Sequence, residues 1–140
     1  AVHRCIKNAL AHSEVNPNEV DAINGHLTAT AKDPLEIENW TKALGRKGED
    51  FPFINSTKSL IGHCLAAAGS IECVASILQI KEQFVAPNIN CEDLHDEIKI
   101  MIATSKVPTQ TLHHKVDVVA KASFGFGDVN ACVLFKRFIP

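Results

Sequence analysis

INSTKSLIGHCLAAAGS, residues 54–70, places Lys58 and His63 five positions apart in a polar, glycine-punctuated turn. The alanines that follow open a run, to about Gln83, that is apolar on nearly all sides, with Ile71, Val74, Ile77, Leu78 and Ile80 among small residues. Such a run predicts a helix buried at the centre of a larger protein rather than laid on a surface. The preceding FPFINST reads as a short strand. The stretch is therefore a strand, a tight turn and a helix, with two basic side chains at the helix mouth.

The pattern extends outward from this unit. Val2, Cys5, Ile6, Ala9 and Leu10 recur at helical spacing, and the NPNEV segment ends that helix. VDAINGH predicts a short buried strand. In KDPLEIENWTKALGRKG, Asp33 is expected to cap a helix, Pro34 to sit in its first turn and Glu36 to complete a capping-box pattern. Leu35, Trp40 and Leu44 are expected on its inner face, with Gly45 or Gly48 ending it. After the loop APNINCEDLHDE, the runs IKIMIAT, KVDVVAKASF and VNACVLFKRF read as strands, the last two joined by GFGD. Strand and helix alternate first and strands dominate at the end, which predicts an α/β class with a mixed sheet.

Composition bounds the function. The 140 residues are 46% apolar and 21% charged, with a formal net charge of -2, the profile of an ordinary globular domain. No basic cluster with interleaved aromatics suggests nucleic acid, and no apolar stretch approaches the roughly 20 residues of a membrane span. A cytoplasmic protein is expected. Five cysteines without a C-x-x-C pair argue against a disulfide framework or a zinc ribbon. The chain opens directly on an amphipathic pattern, which we read as a piece of a longer protein.

Three loops follow buried strands, where α/β folds tend to place their sites. NGHLTAT carries His26, Thr28 and Thr30; NSTKSLIGHC carries Lys58 and His63; SFGFGD carries Phe124 and Phe126. Taken singly, each has a plain structural explanation: a histidine at a strand end packs, a lysine is solvated, and Gly125 and Gly127 form a hairpin turn. Together they supply imidazole donors, a positive charge and free backbone N–H groups, a set suited to an oxygen that becomes negative during carbon–carbon or acyl chemistry. A nucleophile is missing. Cys64 beside His63 suits helix packing better than catalysis, and no metal-ligand spacing is present.

Over nearly the whole chain these motifs resemble the C-terminal half of β-ketoacyl-acyl carrier protein synthases, the condensing enzymes of fatty-acid and polyketide synthesis. The residues that carry the resemblance are H-L-T-A-T from His26 to Thr30, N-S-T-K-S-L-I-G-H from Asn55 to His63, and S-F-G-F-G from Ser123 to Gly127 with Asn130 in step. The resemblance implies one domain, residues 1–140, forming the C-terminal half of a thiolase-like fold, a mixed sheet in α/β/α layers. It implies that His26 and His63 serve decarboxylation and condensation, and that Lys58 organises His63 with Glu36 as its partner. Phe126 would be a gate whose backbone N–H joins the nucleophile's in an oxyanion hole, and Gly125 would be a substrate-binding residue. Thr28 and Thr30 would contact a phosphopantetheine arm that arrives on acyl carrier protein, so no cofactor of its own is expected. The nucleophilic cysteine would lie in an N-terminal half, and the parent would be a homodimer. A chain-length-determining partner subunit is the alternative, and the trio of His26, Lys58 and His63 favours the enzyme. The chain departs from the family pattern at Leu27, Asp128 and Val129. Leu27 tolerates positive φ poorly, so a different backbone is expected there.

Overall fold

The computed structural model describes residues 1–139. Helix α1 (Val2–Ser13) is followed by strand β1 (Ala22–Asn24), helix α2 (Asp33–Leu44), strand β2 (Phe53–Asn55), the short helix α3 (Lys58–Ile61) and the long helix α4 (Ala68–Glu82). Then come β3 (Phe84–Val85), α5 (Asp96–Met101), β4 (Leu112–His113) and the hairpin of β5 (Val118–Gly125) and β6 (Val129–Lys136). Four strands form one sheet in the order β2-β1-β5-β6. β1 runs parallel to β2 and to β5, and β6 returns antiparallel to β5. β3 and β4 make a separate antiparallel ribbon. The sheet is mixed, as the alternation of elements predicts.

The layers follow from strand alternation. Ile23, Ile54, Val118, Ala120 and Ala122 form one core with Ile6 and Leu10 of α1 and Ile37, Trp40 and Leu44 of α2. Ala22 and Val119, their sheet neighbours, join Ile80, Val85 and Val116 in a second core on the α4 side. Helices therefore cover both faces, giving three α/β/α layers. All three residues of β1 are buried, the condition of a parallel strand enclosed on both sides.

Helix α4 is turned inside out. Its buried residues include Glu72, Ser76 and Gln79, one stripe at helical spacing, while Ile71, Val74, Ile77 and Leu78 are exposed. The polar stripe meets polar residues of the sheet. Asn24 donates from Nδ2 to Thr57 Oγ1 at 2.9 Å, to the Glu72 carbonyl at 3.0 Å and to Ser76 Oγ at 3.2 Å. Asn55 Nδ2 donates to Gln79 Oε1 at 2.8 Å. That contact satisfies one end of each amide, while Asn55 Oδ1 and Gln79 Nε2 are buried without a hydrogen-bond partner among the described residues.

Several expectations are corrected. IKIMIAT is not a strand: residues 96–101 form α5, with Ile98 and Ile102 buried and Ile100 exposed. The i, i+4 pair suits a helix as well as the i, i+2 series suits a strand, and His95 Nδ1, accepting the Glu97 N–H at 3.2 Å, caps the helical alternative. Leu35 is half-exposed, and Ile37 and Ala43 take the inner face of α2. Gly45 does end α2, at φ 68°. The run expected as one helix from Leu65 is a single turn at Leu65–Ala67 followed by α4, with Leu65 at φ 49°.

Candidate active site

His26 leaves the end of β1 through Gly25, whose backbone passes so close to α2 that a Cβ would lie 2.8 Å from Glu36 Oε1. Glu36 accepts the His26 N–H on Oε1 at 2.8 Å, the Leu27 N–H on Oε2 at 3.0 Å and Trp40 Nε1–H on Oε1 at 3.3 Å. One turn earlier Asp33 accepts the N–H groups of Thr28, Ala29 and Thr30 at 3.2, 3.0 and 3.4 Å. Neither acid caps its own helix as expected: both reach back and clamp the histidine loop. Burial pushes the Glu36 carboxyl up to about 7, against the N–H donors that favour its anion. Leu27 takes no positive φ, and the left-handed residue of this loop is Ala29, at 56°.

His63 follows Gly62, which sits at φ 76° after α3. Its Nδ1 accepts the Leu65 N–H at 3.0 Å. In the neutral ring the proton therefore resides on Nε2, leaving an N–H donor. The His26 and His63 rings lie edge to face with centroids 5.6 Å apart. The Phe124 ring also lies near His26, with centroids 6.3 Å apart. Burial lowers the His26 pKa, and Lys58, His63 and Lys121 lower it further. Its Nδ1 is buried without a hydrogen-bond partner among the described residues.

Lys58 is buried, and its partner is Glu72 rather than Glu36. Nζ lies 2.5 Å from Glu72 Oε1, whereas both Glu36 oxygens are engaged by N–H groups of the His26 loop and Trp40. Lys121 of β5 approaches the other oxygen, Oε2, at 2.6 Å, a charge contact off the line of a well-directed hydrogen bond. Sequence reasoning missed Glu72 and Lys121. The signal was present: an acid inside AGSIECVASILQI and a lysine inside VVAKA are charges in runs that must be buried, and such charges are nearly always paired.

The glycine-rich segment forms the β5–β6 turn. Gly125 pairs with Val129, and Gly127 and Asp128 take positive φ, 73° and 64°. The Phe126 side chain is fully exposed, so Phe124 is the phenylalanine brought against His26. Thr28 is half-buried and Thr30 exposed, with Oγ1 atoms 3.3 Å apart. A cavity of about 330 Å³ opens beside them, lined in part by Leu27, Thr28, Lys58, His63, Cys91 and Val107. Among the described residues no cluster of three or more histidines, cysteines or acids is placed to hold a metal.

The cysteines form no disulfide among the described residues. Burial pushes the thiols of Cys5, Cys91 and Cys132 up, that of Cys132 to about 12. Those three are thus moved away from the nucleophilic thiolate.

Residues 1–92 match the beta-ketoacyl synthase, C-terminal domain. This chain belongs to that family. As a beta-ketoacyl synthase C-terminal domain it is 38% identical over 139 residues to the chloroplastic 3-oxoacyl-[acyl-carrier-protein] synthase I of Arabidopsis thaliana. It is 37% identical over 134 residues to 3-oxoacyl-[acyl-carrier-protein] synthase 2 of Coxiella burnetii. These alignments cover 99% and 95% of the domain but only 28% and 31% of the two synthases. The synthase domain also superposes on a solved type II polyketide ketosynthase, captured with its acyl-carrier protein and a bound hexaketide. There the TM-score is 0.86 and the identity 31%, covering 99% of this chain and 33% of that one. The ishigamide ketosynthase/chain length factor gives a TM-score of 0.88 at 27% identity, covering 98% of this chain and 32% of its own. The fold is thus the thiolase-like one expected of ketosynthases. No helix of the described residues is long and apolar enough to cross a membrane.

Proposed function

We propose that this domain is the C-terminal part of a homodimeric, cytoplasmic 3-oxoacyl-acyl carrier protein synthase that serves fatty-acid or polyketide synthesis. The observation that carries the reading is the His26–His63 ring pair, 5.6 Å between centroids, above the buried Lys58–Glu72 ion pair. An acyl group waits as a thioester on a cysteine of the N-terminal part. Malonyl carried on the phosphopantetheine of acyl carrier protein enters past Thr28 and Thr30, so the domain needs no cofactor of its own. The bond to the malonyl carboxylate breaks, carbon dioxide leaves, and the electron pair passes to the thioester carbonyl as an enolate oxygen. His63, protonated on Nε2, and a neutral His26 donate to that oxygen as charge develops. The enolate carbon then attacks the acyl-cysteine carbonyl, expelling the thiolate and forming the 3-oxoacyl product. The Phe126 backbone N–H and that of the nucleophile take the tetrahedral oxygen, with Gly125 beside the substrate.

The test is malonyl-acyl carrier protein decarboxylation by the full-length parent. H26A and H63A are each expected to lose about 10²- to 10³-fold, the usual loss on removing one such donor. The isolated domain, lacking the cysteine, is expected to condense nothing, and appreciable condensation by it would overturn the reading. A chain-length-determining subunit would carry no cysteine at the nucleophile position of the parent.

A further inference from the structure

Glu72 serves two lysines. The residue is 1% exposed, with Lys58 Nζ on Oε1 at 2.5 Å and Lys121 Nζ near Oε2 at 2.6 Å. Two ammonium groups around one carboxylate leave a net positive charge sealed in the protein. Burial without full neutralisation is costly, and packing alone does not require it, since a methionine would fill the same space. Lys121 reaches further still: its Nζ donates to Ser123 Oγ at 2.9 Å and to the Ala122 carbonyl. It thus grips the end of β5, where Phe124 meets His26 and the glycine-rich turn begins.

We propose that Lys121 is a positioning residue of the condensing reaction, joining the Lys58–Glu72 pair beneath the histidines to the base of the glycine-rich turn. The proposal rests on the functional reading above. Three elements that carry the site converge on this one cluster: α3 through Lys58, α4 through Glu72 and β5 through Lys121. The cluster also acts at a distance. The charged and titratable groups around Lys121 are Glu72 and Cys73 on α4, Lys58 on α3, Cys132 on β6, and His26 beyond β1. Burial pulls the lysine pKa down and Glu72 opposes it, so the carboxylate maintains the ammonium. The surplus charge in turn disfavours protonation of His26, and a neutral imidazole is the donor that the enolate needs.

The experiment measures malonyl-acyl carrier protein decarboxylation against pH in the full-length parent, for wild type, Lys121→Met and Lys121→Arg. With the surplus charge removed, His26 protonates more readily and the acid limb moves to higher pH. K121M is expected to shift that limb up by about half a pH unit or more and to lower kcat about tenfold with little change in KM. K121R keeps the charge and is expected to restore the limb. A merely structural lysine would leave the limb in place. If K121M does not fold, Lys121→Gln, which retains a donor for Ser123, carries the same decision. If no neutral variant folds, K121R decides alone, and a displaced limb there overturns the proposal. A parent that decarboxylates nothing removes the functional reading and this inference together. An active parent whose neutral variants keep the wild-type limb overturns this inference alone.

Discussion

Lys58 and Glu72, 14 residues apart, meet at 2.5 Å with both side chains buried. Their contact links the histidine-bearing turn to the helix behind it. Removing the acid leaves Lys58 and Lys121 facing each other without a counter-charge. Glu72→Ala is therefore expected to cost about 3–5 kcal/mol, the range for breaking one partner out of a buried pair. Urea unfolding of the two proteins reads this directly. A loss below about 1 kcal/mol would mean that the lysines find water or another partner.

Glu36 gives the fold a dependence on pH. Its folded pKa of about 7 lies above the ordinary carboxylate value of 4.5. Between those values the native state holds a proton that the unfolded chain has released, so this contribution to stability is complete below about 4.5. It is lost as pH rises to about 7, and is flat beyond. The full span corresponds to roughly 3 kcal/mol. His26, with its lowered pKa, pulls the other way in the same window. The informative quantity is thus the difference between wild type and Glu36→Gln. Thermal unfolding from pH 4.5 to 8 is expected to show wild type losing stability relative to E36Q as pH rises, with parallel curves above pH 7.

Gly25 is required by a close approach rather than by its backbone angles. A Cβ there would meet Glu36 Oε1 at 2.8 Å and Leu27 Cγ at 3.1 Å. Gly25→Ala must push the carboxylate away from the N–H groups it holds. The expected destabilisation is about 1–3 kcal/mol, the usual result of overpacking. Decarboxylation is expected to fall with it, because the displaced loop carries His26. Activity at the wild-type level, measured well below the unfolding midpoint, would show that the loop finds another support.

How far the sequence revealed this arrangement depended on which signal each residue carried. Strands β1, β2, β5 and β6 were legible because short apolar runs end in glycine or polar turns. His26, Lys58 and His63 were legible because three ordered motifs resemble one family. Glu36 was legible as a supporting acid but not in its role: spacing places it in the first turn of α2, and only tertiary folding decides whether it reaches Lys58 or the His26 backbone. The segment at 96–102 was misread because Ile98, Ile100 and Ile102 satisfy strand alternation while Ile98, Met101 and Ile102 satisfy helical spacing. Helix α4 was read as buried within a larger protein, but the direction in which it faces the sheet was hidden. An almost wholly apolar helix does not announce which face a sheet will claim, and here Asn24, Asn55 and Lys121 claim its few polar residues.

That orientation yields a final expectation. With Glu72, Ser76 and Gln79 turned inward, Ile71, Val74, Ile77 and Leu78 form an exposed apolar surface, Val74 being 58% exposed. An apolar patch of this kind marks a surface meant to be covered. The chain spans about 30% of the length of its synthase relatives, and in the parent proposed above the remainder is available to cover it. The isolated domain is therefore expected to self-associate through α4. Val74→Lys with Ile77→Lys should return it to a monomer in sedimentation experiments while changing its unfolding free energy by no more than about 0.5 kcal/mol, as for ordinary surface substitutions. In the full-length parent the same pair should be severe, costing several kcal/mol, since each buried lysine would lack a counter-charge. Equal tolerance in both contexts would show that nothing packs on this face, and equal damage in both would show that the outward residues already support the domain itself.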